Sequence, residues 1–180
     1  MASGCVTSVH LASASATPVC ETAGRAGSPP VLLMAQSVPT ATLLPCVSLL
    51  PAGWSVANFR VRDGRASFGL ASDRAGMRAV KVVLVERCTT GGATRVPTDE
   101  PGTTRYEKVV DLDNGYTGTR YYLFAGGCVR YDFHLTGDAR AVPVNEASLA
   151  VSFVARQQIR DDVRDDSDGR LHLDPCGGCP

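Results

Sequence analysis

Gly118 to Leu135 reads GTRYYLFAGGCVRYDFHL, and the fold turns on this stretch. Gly126-Gly127 supplies the positive φ angles that a tight hairpin turn requires, so two strands meet there. Counting outward from that dipeptide sets Phe124 opposite Val129, Tyr122 opposite Tyr131 and Arg120 opposite Phe133. One face of the pair then carries nearly all the large apolar side chains. The other carries Leu123, Arg130, Asp132 and His134. An aromatic sheet face has to be covered, and the helical pattern from Asn145 to about Arg164 is the expected cover. Asn145 suits an N-cap, Val144 and Leu149 stand at staple positions, and Ala147, Val151, Val154, Ala155 and Ile159 recur at helical spacing.

Upstream, Trp54 to Leu70 forms a second hairpin that turns at Asp63-Gly64. Its expected pairs are Val61 with Ala66, Phe59 with Phe68 and Ala57 with Leu70. Its polar face presents Arg60, Arg62, Arg65 and Ser67. Ala79 to Val85, AVKVVLV, is a β-branched run suited to a central strand, and Arg105 to Leu112 alternates as another. Thr89 to Thr104 is a Gly/Thr/Pro-rich connection of about sixteen residues, longer than most. Pro39, Pro45 and Pro51 forbid a long helix over residues 31–51 and demote any strand there to an edge. No helical pattern separates successive strands, so a parallel βαβ arrangement has no place to form. The expected fold is α+β, an antiparallel sheet of about five to seven strands built from hairpins, with one principal C-terminal helix packed on one face. Residues 1–29, rich in Ser, Thr, Ala and Gly, read as a flexible arm, 30–174 as a single domain in which order begins at Val31, and 175–180 as a tail.

Charge is balanced, with 18 basic and 18 acidic residues, so no global field favours nucleic acid or an anionic membrane. Seven cysteines fit an oxidising compartment better than a reducing one. Cys88 closes the central strand and Cys128 opens the second arm of the central hairpin, which makes Cys88–Cys128 the expected disulfide. Cys46 is the competitor for either partner, and the pairing of Cys20, Cys46, Cys176 and Cys179 stays open.

Ala2-Ser3-Gly4-Cys5 resembles the end of a bacterial lipoprotein signal, in which the cysteine is acylated. That resemblance implies lipidation at Cys5 and an export segment upstream of Met1, so that the membrane is met only through an N-terminal anchor. If Met1 is the true start, the protein is cytoplasmic. The strings AQSVPTATLLPCV, LPAGWS, PTDEPGTTRYE, FAGGCV, NEASLA and GRLHLDP, spread over residues 31–174, resemble uncharacterised exported or membrane-anchored proteins of actinobacteria. The resemblance implies compartment and fold, and no activity.

Candidate chemistry is sparse. Asp111-Leu-Asp-Asn-Gly and Asp165-Asp-Ser-Asp-Gly place their glycine or first ligand one position off an EF-hand loop, so no calcium site is expected. The chain has 3 histidines, too few for a zinc site built on imidazole, and no metal or cofactor is expected. Gly-x-Ser-x-Gly and phosphate-binding glycine loops are absent. Cys176-Gly-Gly-Cys179 has redox spacing but follows Pro175 near the chain end, without the helix that would activate a thiol. Two polar sets remain as binding candidates. Arg60, Arg62 and Arg65 lie near Arg74, Arg78 and Lys81 in sequence, and Arg130, Asp132 and His134 share one strand face. The leading expectation is a non-enzymatic extracytoplasmic envelope domain that binds a protein or a cell-wall polymer, and no nucleic acid. The alternatives are a small-molecule or lipid carrier with a cavity between sheet and helix, and an enzyme using the Arg130, Asp132, His134 face.

Overall fold

A computed structural model describes residues 17–22, 24–113, 115–136 and 141–173. The elements run in the order β1 (Glu21–Thr22), β2 (Arg25–Ala26), α1 (Pro29–Ser37), β3 (Leu43–Val47), β4 (Trp54–Arg62), β5 (Arg65–Ser72), β6 (Gly76–Val85) and β7 (Thr94–Val96). They continue with β8 (Thr104–Asp111), β9 (Tyr116–Phe124), β10 (Gly127–Leu135), α2 (Ala141–Ala150), β11 (Val151–Ala155) and α3 (Arg156–Asp166). Among the described residues, β4 to β10 build a 7-stranded sheet in the order β4-β5-β6-β10-β9-β8-β7, antiparallel throughout. The fold is α+β, as the hairpin order implies. None of the described helices is long and apolar enough to cross a membrane.

The β-branched run of β6 lies in the interior of the sheet, third in the order, between β5 and the middle strand β10; Val80, Val82 and Leu84 bury one face while backbone ladders flank it on both sides. With Phe68, Leu70, Val129, Tyr131 and Phe133 they form the apolar floor of the core. Met34 of α1, Leu44 of β3, Ala147 of α2 and Ile159 of α3 close over it. Phe153 of β11 meets Tyr122 and Phe124 of β9 with ring centroids 5.3 and 6.2 Å apart.

The central hairpin keeps its expected faces and shifts its register by two residues, whereas the β4–β5 hairpin keeps the expected register and faces only from its turn to its bulge. In the central hairpin the turn falls on Ala125-Gly126, so Gly127 pairs with Phe124, Val129 with Tyr122 and Tyr131 with Arg120. Gly126 has φ +68°, and a Cβ there would strike the carbonyl of Thr40, so the αL position belongs to this glycine. In the β4–β5 hairpin Val61 does pair with Ala66, but a bulge at Asn58, φ 55°, moves Val56 rather than Ala57 opposite Leu70. The long 89–104 connection contributes β7 as an edge strand on β8.

The helical pattern over 145–164 is divided. Asn145 is interior to α2, not its cap, and Val151 to Ala155 leaves the helix to pair with Leu43 to Val47. A short apolar run is compatible with either geometry, and here an external demand decides. Buried β3 needs partners for its backbone groups, and the β-branched and aromatic VSFV segment supplies them. The helix resumes at Arg156, whose Nη1 donates to the Ala35 carbonyl at 2.7 Å.

Residues 17–22 and 24–29, expected to belong to a flexible arm, are instead tied to the domain. Cys20 is bonded to Cys46, the Cys20 N–H donates to the Val47 carbonyl at 3.0 Å, and the N–H of buried Ala26 donates to Asp162 at 2.6 Å. A crosslink and hydrogen bonds to β3 and α3 hold a segment too polar to bury itself. Ordered structure therefore precedes Val31. Residues 1–16, with Cys5, and residues 174–180, with Cys176 and Cys179, lie outside the described residues.

Candidate functional site

The two polar sets singled out in the sequence lie on one face of the sheet. Cross-strand register puts Arg62 beside Arg65, Arg60 beside Ser67, Ser67 beside Val83 and Val83 beside Arg130. One row along, Gly69 neighbours Lys81 and Lys81 neighbours Asp132. The small outward residues of β5, Ser67 and Gly69, form the floor of a trough of about 590 Å³ whose walls include Asn58, Arg60, Met77, Arg78, Lys81, Asp132 and His134. A second depression of about 690 Å³ shares Arg60, Ser67 and Lys81 and extends the surface to Arg62 and Arg65. Arg78 and Lys81, noted in the sequence only as near neighbours of the arginine cluster, thus join its two halves.

The electrostatics of this face are unbalanced. Asp132 accepts from Arg130 Nε at 3.1 Å and Nη2 at 2.9 Å through the single oxygen Oδ2, which commits its charge to Arg130. Arg60, Arg62, Arg65, Arg78 and Lys81 make no ion pair among the described residues. Arg62 and Arg65 face each other directly, a like-charge pair that costs stability in a ladder. Arg74 lies elsewhere, bonded to Glu146 at 2.7 Å. His134 is exposed beside Thr117 and makes no hydrogen bond to Asp132, whose oxygen is turned to Arg130. The trio therefore presents charge without an oriented acid–base pair. Among the described residues, no group of His, Cys, Asp and Glu is placed to hold a metal ion.

On the opposite face, against α2, lies a network the sequence reading did not assemble. Arg120 is 6% exposed. Its Nε bonds Glu107, its Nη1 donates to Ser148 of α2, and its guanidinium stands 5.4 Å from the Phe133 ring centroid. Arg105 bonds the same Glu107 oxygen through Nε at 3.0 Å and Nη2 at 2.5 Å. Burial alone would raise the Glu107 pKa, but hydrogen bonds from both arginines and their charges hold it below the usual carboxylate range. One sign was visible in the sequence: Arg120 stands on the apolar face of its hairpin, and a buried cation requires an acidic partner.

Cys88–Cys128 is formed as expected, with Cα atoms 5.9 Å apart, and ties the loop three residues past the end of β6 to the start of β10. Cys46 bonds Cys20 instead, Cα to Cα 4.8 Å. The chain matches no protein-family model, no curated protein and no solved structure.

Proposed function

We propose that this is a non-enzymatic extracytoplasmic domain that holds an anionic polymer of the cell envelope along the basic trough of its sheet. The observation that carries the reading is the set of Arg60, Arg62, Arg65, Arg78 and Lys81 on one concave surface without carboxylate partners among the described residues. A protein gains nothing internally by opposing Arg62 to Arg65, whereas an anionic ligand converts that cost into attraction. From β4 to β10 the trough crosses three strand spacings, roughly 14 Å, long enough for consecutive charged units of a chain molecule. The disulfides favour an oxidising compartment outside the cytoplasm. A lipid-carrier reading has less support, because Tyr131, Phe68, Phe133, Met34 and Leu44 fill the centre of the core, and the space beside α2 is an open groove rather than an enclosed apolar cavity.

The test is binding of poly(glycerol phosphate) and polyglutamate, with neutral dextran as control, at two salt concentrations. Binding of the polyanions should weaken as salt rises, and Arg60→Glu/Lys81→Glu should weaken it roughly tenfold or more, since attractions of about 1 kcal/mol each at contact in water turn repulsive. Dextran binding of equal strength, or polyanion affinity unmoved by the double variant, would overturn the reading.

A further inference from the structure

The groove over the Arg105–Glu107–Arg120 network is a second candidate site, on the face of the sheet away from the trough. It measures about 450 Å³ and lies between α2 and β8–β9, lined by Arg105, Tyr116, Arg120, Val144, Asn145 and Ser148, with Ala141 at its end. Two guanidinium groups share one carboxylate oxygen, so one positive charge is left over, and no other acid lines the groove among the described residues. Arg120 is immobilised between Glu107 and Ser148, and Arg105, more exposed, offers the side of its fork that Glu107 does not occupy. The Tyr116 hydroxyl and the Asn145 amide stand at the walls without a hydrogen bond among the described residues, while Ala141 and Val144 supply an apolar wall. Tyr116 is itself held by edge contact with Phe133 at 5.7 Å and lies over Gly118, where a Cβ would come 3.0 Å from its hydroxyl. The donors are therefore in place before any ligand arrives.

We propose that this groove binds a small organic monocarboxylate. Its carboxylate sets against Arg105, within reach of Asn145 and Tyr116, and its short hydrocarbon part lies on Ala141 and Val144. A single unbalanced charge suits a monoanion. A dianion would bring surplus negative charge beside Glu107. The apolar wall distinguishes an organic acid from a bare inorganic ion.

Titration of the full chain with sodium butyrate, inorganic phosphate and chloride at constant ionic strength, followed by amide chemical shifts, tests this. Butyrate should give saturable shifts at Tyr116, Asn145 and Ser148. Arg105→Gln should weaken them roughly tenfold, the value of one charge-assisted hydrogen bond. Asn145→Leu, which blocks the wall from an exposed position and leaves every charge in place, should do the same, so a folding defect in the first variant does not leave the matter open. Arg60→Glu/Lys81→Glu should leave butyrate binding unchanged, which separates this site from the trough. Shifts that do not saturate, that phosphate or chloride reproduces at equal concentration, or that survive both groove variants would overturn the proposal.

Discussion

The indole N–H of Trp54 donates to a carboxylate oxygen of Glu146 at 2.8 Å, joining residues 92 apart in the chain. Arg74 holds the other oxygen at 2.7 Å. The start of β4, the turn after β5 and the middle of α2 are thereby latched together. Trp54 is 7% exposed and is the sole tryptophan, so its fluorescence reports on the latch directly.

Acid should open that latch. The hydrogen bond from Trp54, and after it the bond and charge of Arg74, hold the Glu146 pKa below its ordinary value. A carboxylate with a depressed folded pKa stabilises above its unfolded pKa and loses that contribution as pH falls through the folded one. Between roughly pH 5 and pH 3 the melting temperature of the wild type should therefore fall more steeply than that of Glu146→Gln, with a change in Trp54 emission over the same range. Parallel acid profiles for the two proteins would show that the latch carries no ionisation-dependent stability.

Removing Glu107 should be costly, because Arg120 stays buried without its anion. Glu107→Ala is expected to lose roughly 2–4 kcal/mol in urea unfolding, toward the lower end because Glu107 is partly exposed. Arg120→Met/Glu107→Leu should lose less than Glu107→Ala alone, since both buried charges leave together. Additive losses in the double variant would mean that the two groups do not act as a pair.

The two crosslinks should contribute comparably. Cys88–Cys128 spans 40 residues and Cys20–Cys46 spans 26, for which loop entropy gives roughly 4 and 3.5 kcal/mol. Replacing each pair by serine should lower the urea midpoint by similar amounts. Loss of Cys20–Cys46 should in addition expose residues 17–29 to protease, because that bond and a few backbone contacts tie the segment to β3. Unchanged protease resistance would mean that the crosslink is not what holds it.

Gly126→Ala should destabilise by about 2 kcal/mol or more, combining an αL alanine with a clash against the Thr40 carbonyl. Gly64→Ala is the control. It also has positive φ but meets nothing within 4 Å, so it should cost about 1 kcal/mol. Equal losses would remove Thr40 from the account.

The sequence by itself determined what is local and periodic. The alternation in Gly118 to Leu135 assigned Tyr122, Tyr131 and Phe133 to the core and Arg130, Asp132 and His134 to the outer face. That assignment survives a register shift of two residues because side-chain direction repeats every two. The β-branched 79–85 run marked a strand interior to the sheet, and strand-end placement made Cys88–Cys128 the expected bond, with Cys46 as the competitor that only the tertiary structure assigned to Cys20. Distant partners decided the remainder. Whether Val151 to Ala155 is helix or strand depends on the unpaired edge of β3, about a hundred residues earlier: the β-branched and aromatic content of VSFVA suits a strand, but its apolar spacing continues the helical pattern equally well. The order of residues 17–22 and 24–29 depends on Cys46 and Asp162. The trough exists because sheet order places β5, with Ser67 and Gly69, between two cationic walls, and the second groove because α2 lays Ser148 over Arg120. Such sites are sums of residues far apart in the chain, and one-dimensional periodicity carries no information about which strands become neighbours.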